Sequence, residues 1–159
     1  MRSALICFLL LLVACGRSGS LCDRHFRPYA DIVSGRMRTP GNTALLDGMA
    51  AYNDGAFPKA IPQLTTYIKA NNEDQQARLY LVNSLIGAGK PFDAELQLDF
   101  MEQGEGRTFK DQIAWYRTIC LLCSDQRDRA LRSARAIASS QEHTYRSEAQ
   151  HLVEDLGGE

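Results

Sequence analysis

The sequence predicts an all-α chain of about three stacked helix pairs plus a C-terminal capping helix. Two observations carry this prediction. A shift of 34 positions places Gly55 on Gly89, Ala60 on Ala94, Leu64 on Leu98 and Tyr67 on Met101. From Thr43 onward, apolar residues recur at helical spacing between tight turns, with no convincing run of alternating strand residues.

The first element reads as a leader rather than as part of the fold. Arg2 precedes a short apolar run from Ala4 to Ala14. A spanning helix needs about 20 residues, so this run reads as a targeting segment. Leu12-Val13-Ala14-Cys15 resembles the cleavage site of a bacterial lipoprotein signal peptide. The resemblance implies that residues 1–14 are removed and that Cys15 carries lipid as the first mature residue. It also implies a lipid-anchored protein of the cell envelope, facing the periplasm from the outer membrane, since Gly16 rather than Asp follows the cysteine. Residues 15–42 then read as a lipidated tether and entry segment. Gly16-Arg17-Ser18-Gly19-Ser20 has the composition of a flexible linker. Pro28 argues against a helix interior, and Pro40-Gly41-Asn42 signals a turn. Arg24, Arg27, Arg36 and Arg38 are placed either to meet lipid headgroups or to pack back on the first helix pair.

Residues 43–159 read as the repeat domain. In the first pair, Gly48 and Ala60 are small where two helices approach closely. Gly55 ends the first helix, where a left-handed turn favours glycine. Phe57 and Tyr67 are large enough to fill the gap to neighbouring helices. Pro62 costs one backbone bond, which is tolerable near a helix start. The second pair covers about 75–101. Leu79, Leu81, Val82, Leu85 and Ile86 form its first helix, Gly87-Ala88-Gly89-Lys90-Pro91 its turn, and Phe92, Ala94, Leu96, Leu98 and Met101 its second helix. The third pair diverges, because Ala130 lies 36 residues after Ala94. Trp115, Tyr116, Ile119 and Leu122 line its first helix, and Ala130, Leu131, Ala134 and Ile137 its second. Its turn, Ser124-Asp125-Gln126-Arg127, lacks the glycine of the other two. Ala149, Leu152, Val153 and Leu156 give the last segment the amphipathic pattern of a cap.

A 34-residue helix-turn-helix period is that of the tetratricopeptide repeat. The region 43–156 resembles the small tetratricopeptide-repeat lipoproteins of Gram-negative bacterial envelopes, although the Trp and Pro of strong repeats are missing. The resemblance implies a non-catalytic scaffold or adaptor that binds a protein or peptide on the concave face, lined by the first helix of each pair. The first pair contributes Asn42, Met49, Tyr52 and Asn53 to that face. The second contributes Gln76, Leu79 and Asn83, and the third Gln112, Trp115 and Ile119. Asn53 and Asn83 stand out because a carboxamide can hold an extended backbone by both donor and acceptor. An accessory or regulatory subunit of an envelope assembly or secretion complex is the alternative.

Charge and motifs narrow the chemistry. The net charge of −1 gives no basic excess for nucleic acid. Asp23, His25 and Ser18 could form a triad on paper, but a tether does not hold groups within catalytic tolerance. The Gly87–Lys90 turn lacks the strand and the Ser/Thr of a phosphate loop. The arginines at 127, 129, 132 and 135 read as a solvated helix face. No enzyme activity, cofactor or metal is expected. Of the cysteines beyond Cys15, Cys22, Cys120 and Cys123 remain, and an odd number leaves at least one thiol free or intermolecular. Cys120-Leu121-Leu122-Cys123 admits a thiol-redox reading. Core packing is favoured, because free cysteine is among the most buried residue types.

Overall fold

The computed structural model describes residues 19–104 and 108–157. Its helices are α1 (Leu21–His25), α2 (Thr43–Asn53), α3 (Phe57–Ala70), α4 (Gln75–Gly87), α5 (Pro91–Gln103), α6 (Lys110–Cys123), α7 (Arg127–Ser139) and α8 (Arg146–Gly157). From α2 onward each helix packs on the next. The pairs α2–α3, α4–α5 and α6–α7 stack in order and α8 closes the end, giving a tetratricopeptide-like α-α superhelix. The predicted fold class therefore stands, with helix positions close to those expected.

The three intra-pair turns close in the same way. The N–H of Gly55, Gly89 and Asp125 reaches back to the carbonyls of Tyr52, Ile86 and Leu122. The next N–H, of Ala56, Lys90 and Gln126, donates to Ala51, Leu85 and Leu121. This double closure needs a left-handed residue at its centre. Gly55 has φ 68°, Gly89 φ 72° and Asp125 φ 59°. The third turn thus keeps the geometry without the glycine.

Helix spacing follows from small residues. A Cβ on Gly48 would lie 2.9 Å from Cγ of the fully buried Leu64, so α2 and α3 pack at a distance only glycine allows. At Gly87 the added Cβ would meet the Phe57 ring at 2.3 Å, the contact by which the first pair seats on the second. Pro62 lies in the second turn of α3, on its exposed side. Helix α4 is buried all round from Leu79 to Ile86, which requires cover on every face. Helices α2, α3, α5 and α6 supply most of it. The rest comes from residues 26–36.

Those residues lie in the segment read as a tether, and from Ser20 onward they are integrated with the domain. Ser20 and Asp23 form a reciprocal capping box at the start of α1, a signal present in the sequence and missed beside Pro28. Cys22 is bonded to Cys123 at the end of α6. His25 Nε2 lies 2.9 Å from Asp155 Oδ2 on α8. Val33 is 1% exposed.

Three expectations require correction here. The lipid-mediated membrane partner and the outer-membrane address are overturned. Cys22 and Cys123 are consumed by an internal cross-link and so are closed to acylation, and Cys120 is buried in the core. No helix among the described residues is long and apolar enough to cross a membrane. Cys15 and the leader lie outside the described residues. The arginines assigned to headgroups are largely engaged within the chain: Arg27 donates to the Asp23 and Phe26 carbonyls, Arg36 to Gln76 and Arg38 to Asp47. The thiol couple fails as well, because Cys123 is paired with a partner 101 residues away in sequence and not with Cys120.

Candidate functional site

The face made by α2, α4 and α6 is filled by the chain's own residues 26–36, which cross it in an irregular, extended path. The path runs from α6 over α4 to α2, against the order of the repeats. Side chains of all three helices bind its backbone. The Tyr116 hydroxyl donates to the Arg27 carbonyl (3.1 Å). The Tyr29 N–H donates to Asn83 Oδ1 (3.0 Å), and the Tyr52 hydroxyl donates to the Tyr29 carbonyl (2.7 Å). Tyr80 serves twice, accepting from the Ile32 N–H (3.0 Å) and donating to the Ala30 carbonyl (3.2 Å). Each of these pairs a backbone group that would be costly to leave unpartnered away from water.

Side chains of the strap are recognised too. The Tyr29 ring lies 5.9 Å from that of Tyr80, which meets Tyr52 edge-on at 5.3 Å. Asn53 Nδ2 donates to Asp31 Oδ2 at 2.7 Å and to Ser34 Oγ at 3.3 Å. Asp31 Oδ1 accepts the N–H groups of Val33 and Ser34, so the strap turns there. Val33 enters the core two residues on. The recognised pattern is an aromatic residue, an acid two positions later and an aliphatic residue two after that.

Protonation follows from this packing. Burial pushes the Tyr52 and Tyr116 hydroxyls well above the ordinary phenol range and raises that of Tyr80, so all three remain neutral donors. Burial also acts to raise the Asp31 carboxyl. The hydrogen bonds from Ser34, Asn53 and the Val33 and Ser34 backbone outweigh it and hold the group at about 2. Asp31 is therefore an anion when the strap is seated.

The sequence-predicted groove residues divide into two groups. Tyr52, Asn53 and Asn83 contact the strap as described, and Gln76 accepts from Arg36. Asn83 binds backbone through its oxygen alone, since its Nδ2 donates to Leu79 of its own helix. Asn42 caps the turn before α2, donating to the Met37 carbonyl and accepting the Thr39 N–H. Met49, Leu79, Trp115 and Ile119 are core residues, at most 2% exposed, and Trp115 stacks on Tyr145 at 5.5 Å. Gln112 is half-buried near the start of α6.

Sequence reasoning missed Tyr80 and Tyr116 as backbone readers. They stand 36 residues apart, the offset that also relates Ala94 to Ala130, so repeat alignment would have paired them. Of the triad considered, His25 turns to Asp155, Asp23 caps α1 and Ser18 lies outside the described residues. Among the described residues no group of three or more His, Cys, Asp or Glu side chains is placed to hold a metal ion. Burial drives the Cys120 thiol up to about 12, so it is not a nucleophile at neutral pH.

A second surface lies on the opposite side of the stack. Phe92, Leu96 and Phe100 project from α5, 67%, 52% and 48% exposed, beside a groove floored by Leu81 and Leu85 of α4. The Arg78 guanidinium lies 5.5 Å from the centre of the Phe100 ring.

No protein-family model, curated protein or solved structure matches the chain. The fold and the groove are therefore the ground on which function is argued.

Proposed function

We propose that this protein is a non-catalytic helical-repeat scaffold whose α2–α4–α6 face holds an extended polypeptide segment. One observation carries the reading: the face already binds such a segment through four hydrogen-bonding side chains, Tyr52, Tyr80, Asn83 and Tyr116, each directed at backbone. Backbone readout with one aromatic, one acidic and one aliphatic position is the chemistry of a peptide-binding groove. In the described arrangement the ligand is supplied by the chain itself. A segment of another protein with the same pattern would have to replace it.

The test uses the reduced full chain carrying Tyr29→Ala and Asp31→Ala, which weaken the strap's own grip. A fluorescent peptide with the sequence of residues 26–36 is titrated and followed by anisotropy. Saturable binding is the expected outcome. A further Asn83→Ala change should weaken it about tenfold, because one hydrogen bond to a buried carboxamide is worth roughly 1–1.5 kcal/mol. Absence of saturable binding to a chain that keeps its helical circular dichroism would remove the groove from consideration.

A further inference from the structure

We propose that the Cys22–Cys123 disulfide is a latch that keeps the strap in the groove, and that its reduction opens the groove to an extended peptide. The inference rests on the reading of this face as a peptide-holding groove and adds how access to it is controlled.

The argument is one of chain ends. Residues 26–36 lie between two fixed points. On the C-terminal side the chain enters α2 at Thr43, through a turn tied down by Asn42. On the N-terminal side, four residues before Phe26, α1 is bonded to the end of α6 through Cys22 and Cys123. With both ends fixed, a competing segment meets a strap that leaves only by local distortion and returns at very high effective concentration. With the N-terminal end released, the strap can peel from Arg27 toward Ile32, one backbone hydrogen bond at a time. What then holds α1 is the buried Leu21 with its packing on α6, the His25–Asp155 contact and the half-buried Phe26 ring, 6.2 Å from Phe57.

The composition of the interface suits reversible docking. The contacts between strap and groove are hydrogen bonds and ring edges, with Val33 as the deeply buried anchor and Ile32 left 65% exposed. The strap covers one face of the core, with Val33 part of it and Tyr29 packed against it, while the helices from α2 to α8 pack on one another in order without it. The bond itself is accessible, since Cys22 and Cys123 are both only partly buried. The remaining thiol among the described residues, Cys120, is buried one helical turn from Cys123, so it does not capture the released sulfur while α6 is intact.

The chemistry balances with an external dithiol. Its thiolate attacks one sulfur of the disulfide and forms a mixed disulfide, expelling the other as a thiolate that takes up a proton. The second thiol of the reductant then attacks the mixed disulfide. Two electrons and two protons reach Cys22 and Cys123, and the reductant leaves as its own disulfide.

Amide hydrogen exchange on the full chain, oxidised and then reduced with dithiothreitol, tests the latch. Reduction should speed exchange of the Tyr29 and Ile32 amides at least tenfold more than that of the central amides of α4 and α6, which follow the loss of global stability alone. The Cys22→Ser, Cys123→Ser variant should reproduce this without reductant. Unchanged strap rates would refute the latch. Acceleration of the helices by the same factor would also refute it, since the disulfide would then be a general staple. The peptide of residues 26–36 provides a separate arm. Binding to the reduced chain and not to the oxidised one supports the latch. Equal binding to both refutes it. Strap opening without peptide binding supports the latch and tells against the groove reading instead.

Discussion

Asp125 occupies a position that its two counterparts give to glycine. Gly55 and Gly89 take φ near 70° without a Cβ, whereas Asp125 takes φ 59° with one. A left-handed residue with a side chain costs roughly 1–2 kcal/mol, and glycine gives back part of that gain through a more flexible unfolded chain. Aspartate is among the residues that tolerate the conformation best, since its short polar side chain bonds locally. Here it reaches Arg127 Nε at 3.3 Å, an exposed contact of small value. Asp125→Gly should therefore raise stability by about 0.5–1 kcal/mol in urea denaturation, with an unchanged m-value. The missing glycine weakens the third turn in sequence only, because backbone closure and not residue type defines the motif. The same distinction separates Asn53 from Asn83. Both are asparagines on the predicted face, but Asn53, an exposed residue at the end of α2, binds strap side chains, and Asn83, fully buried, binds backbone.

At the scale of elements, the strap behaves as a ligand with a titratable group at its centre. The Asp31 carboxyl falls from an ordinary 3.8 to about 2 when seated. A depressed folded-state value means that the anion is stabilised on docking. That contribution is complete above about pH 4 and is lost as pH falls toward 2, so the seated state should weaken across this window. Thermal midpoints measured from pH 6 to pH 2 should fall more steeply for the wild type than for Asp31→Asn, whose side chain does not titrate. Parallel curves would show that the carboxylate is not coupled to docking. The helices themselves were legible because their signals are local and periodic. A 34-residue offset, apolar spacing and turn glycines placed all of α2–α8. The strap was not legible, because its signals are neither. Phe26, Tyr29 and Val33 lie in a proline- and arginine-rich stretch with no period, and the side chains that bind the backbone of that stretch are 23 to 89 residues away in sequence. Composition alone reads such a stretch as linker. What gives it structure is an unfilled face on α4, visible only once the pairs are stacked. The strap crosses the same helices from which the candidate groove is drawn, while the sequence reads the strap itself as a tether.

For the whole molecule, the decisive constraint is the single cross-link among the described residues. It joins positions 101 apart and so encloses the first two helix pairs and α6 in one loop. Helices α7 and α8 lie outside that loop and are reached by α1 through His25 and Asp155. Closing a loop of about 100 residues removes enough unfolded-chain entropy to stabilise a fold by up to roughly 4.7 kcal/mol, with 2–5 kcal/mol typical of native bridges. A domain of this size has a total stability of about 5–15 kcal/mol, so the bridge is a large fraction of it. Replacing both cysteines by serine should lower unfolding free energy by about 2–5 kcal/mol, read from the urea midpoint. The loss should be larger than that from any single strap contact, because the bridge acts on the unfolded chain as a whole while each hydrogen bond acts on one pair of groups. The transition should also remain single, since every pair from α2 to α8 shares an interface with the next and the stack has no uncoupled segment. A second, earlier transition confined to α7 and α8 would show instead that the cross-linked loop is the cooperative unit.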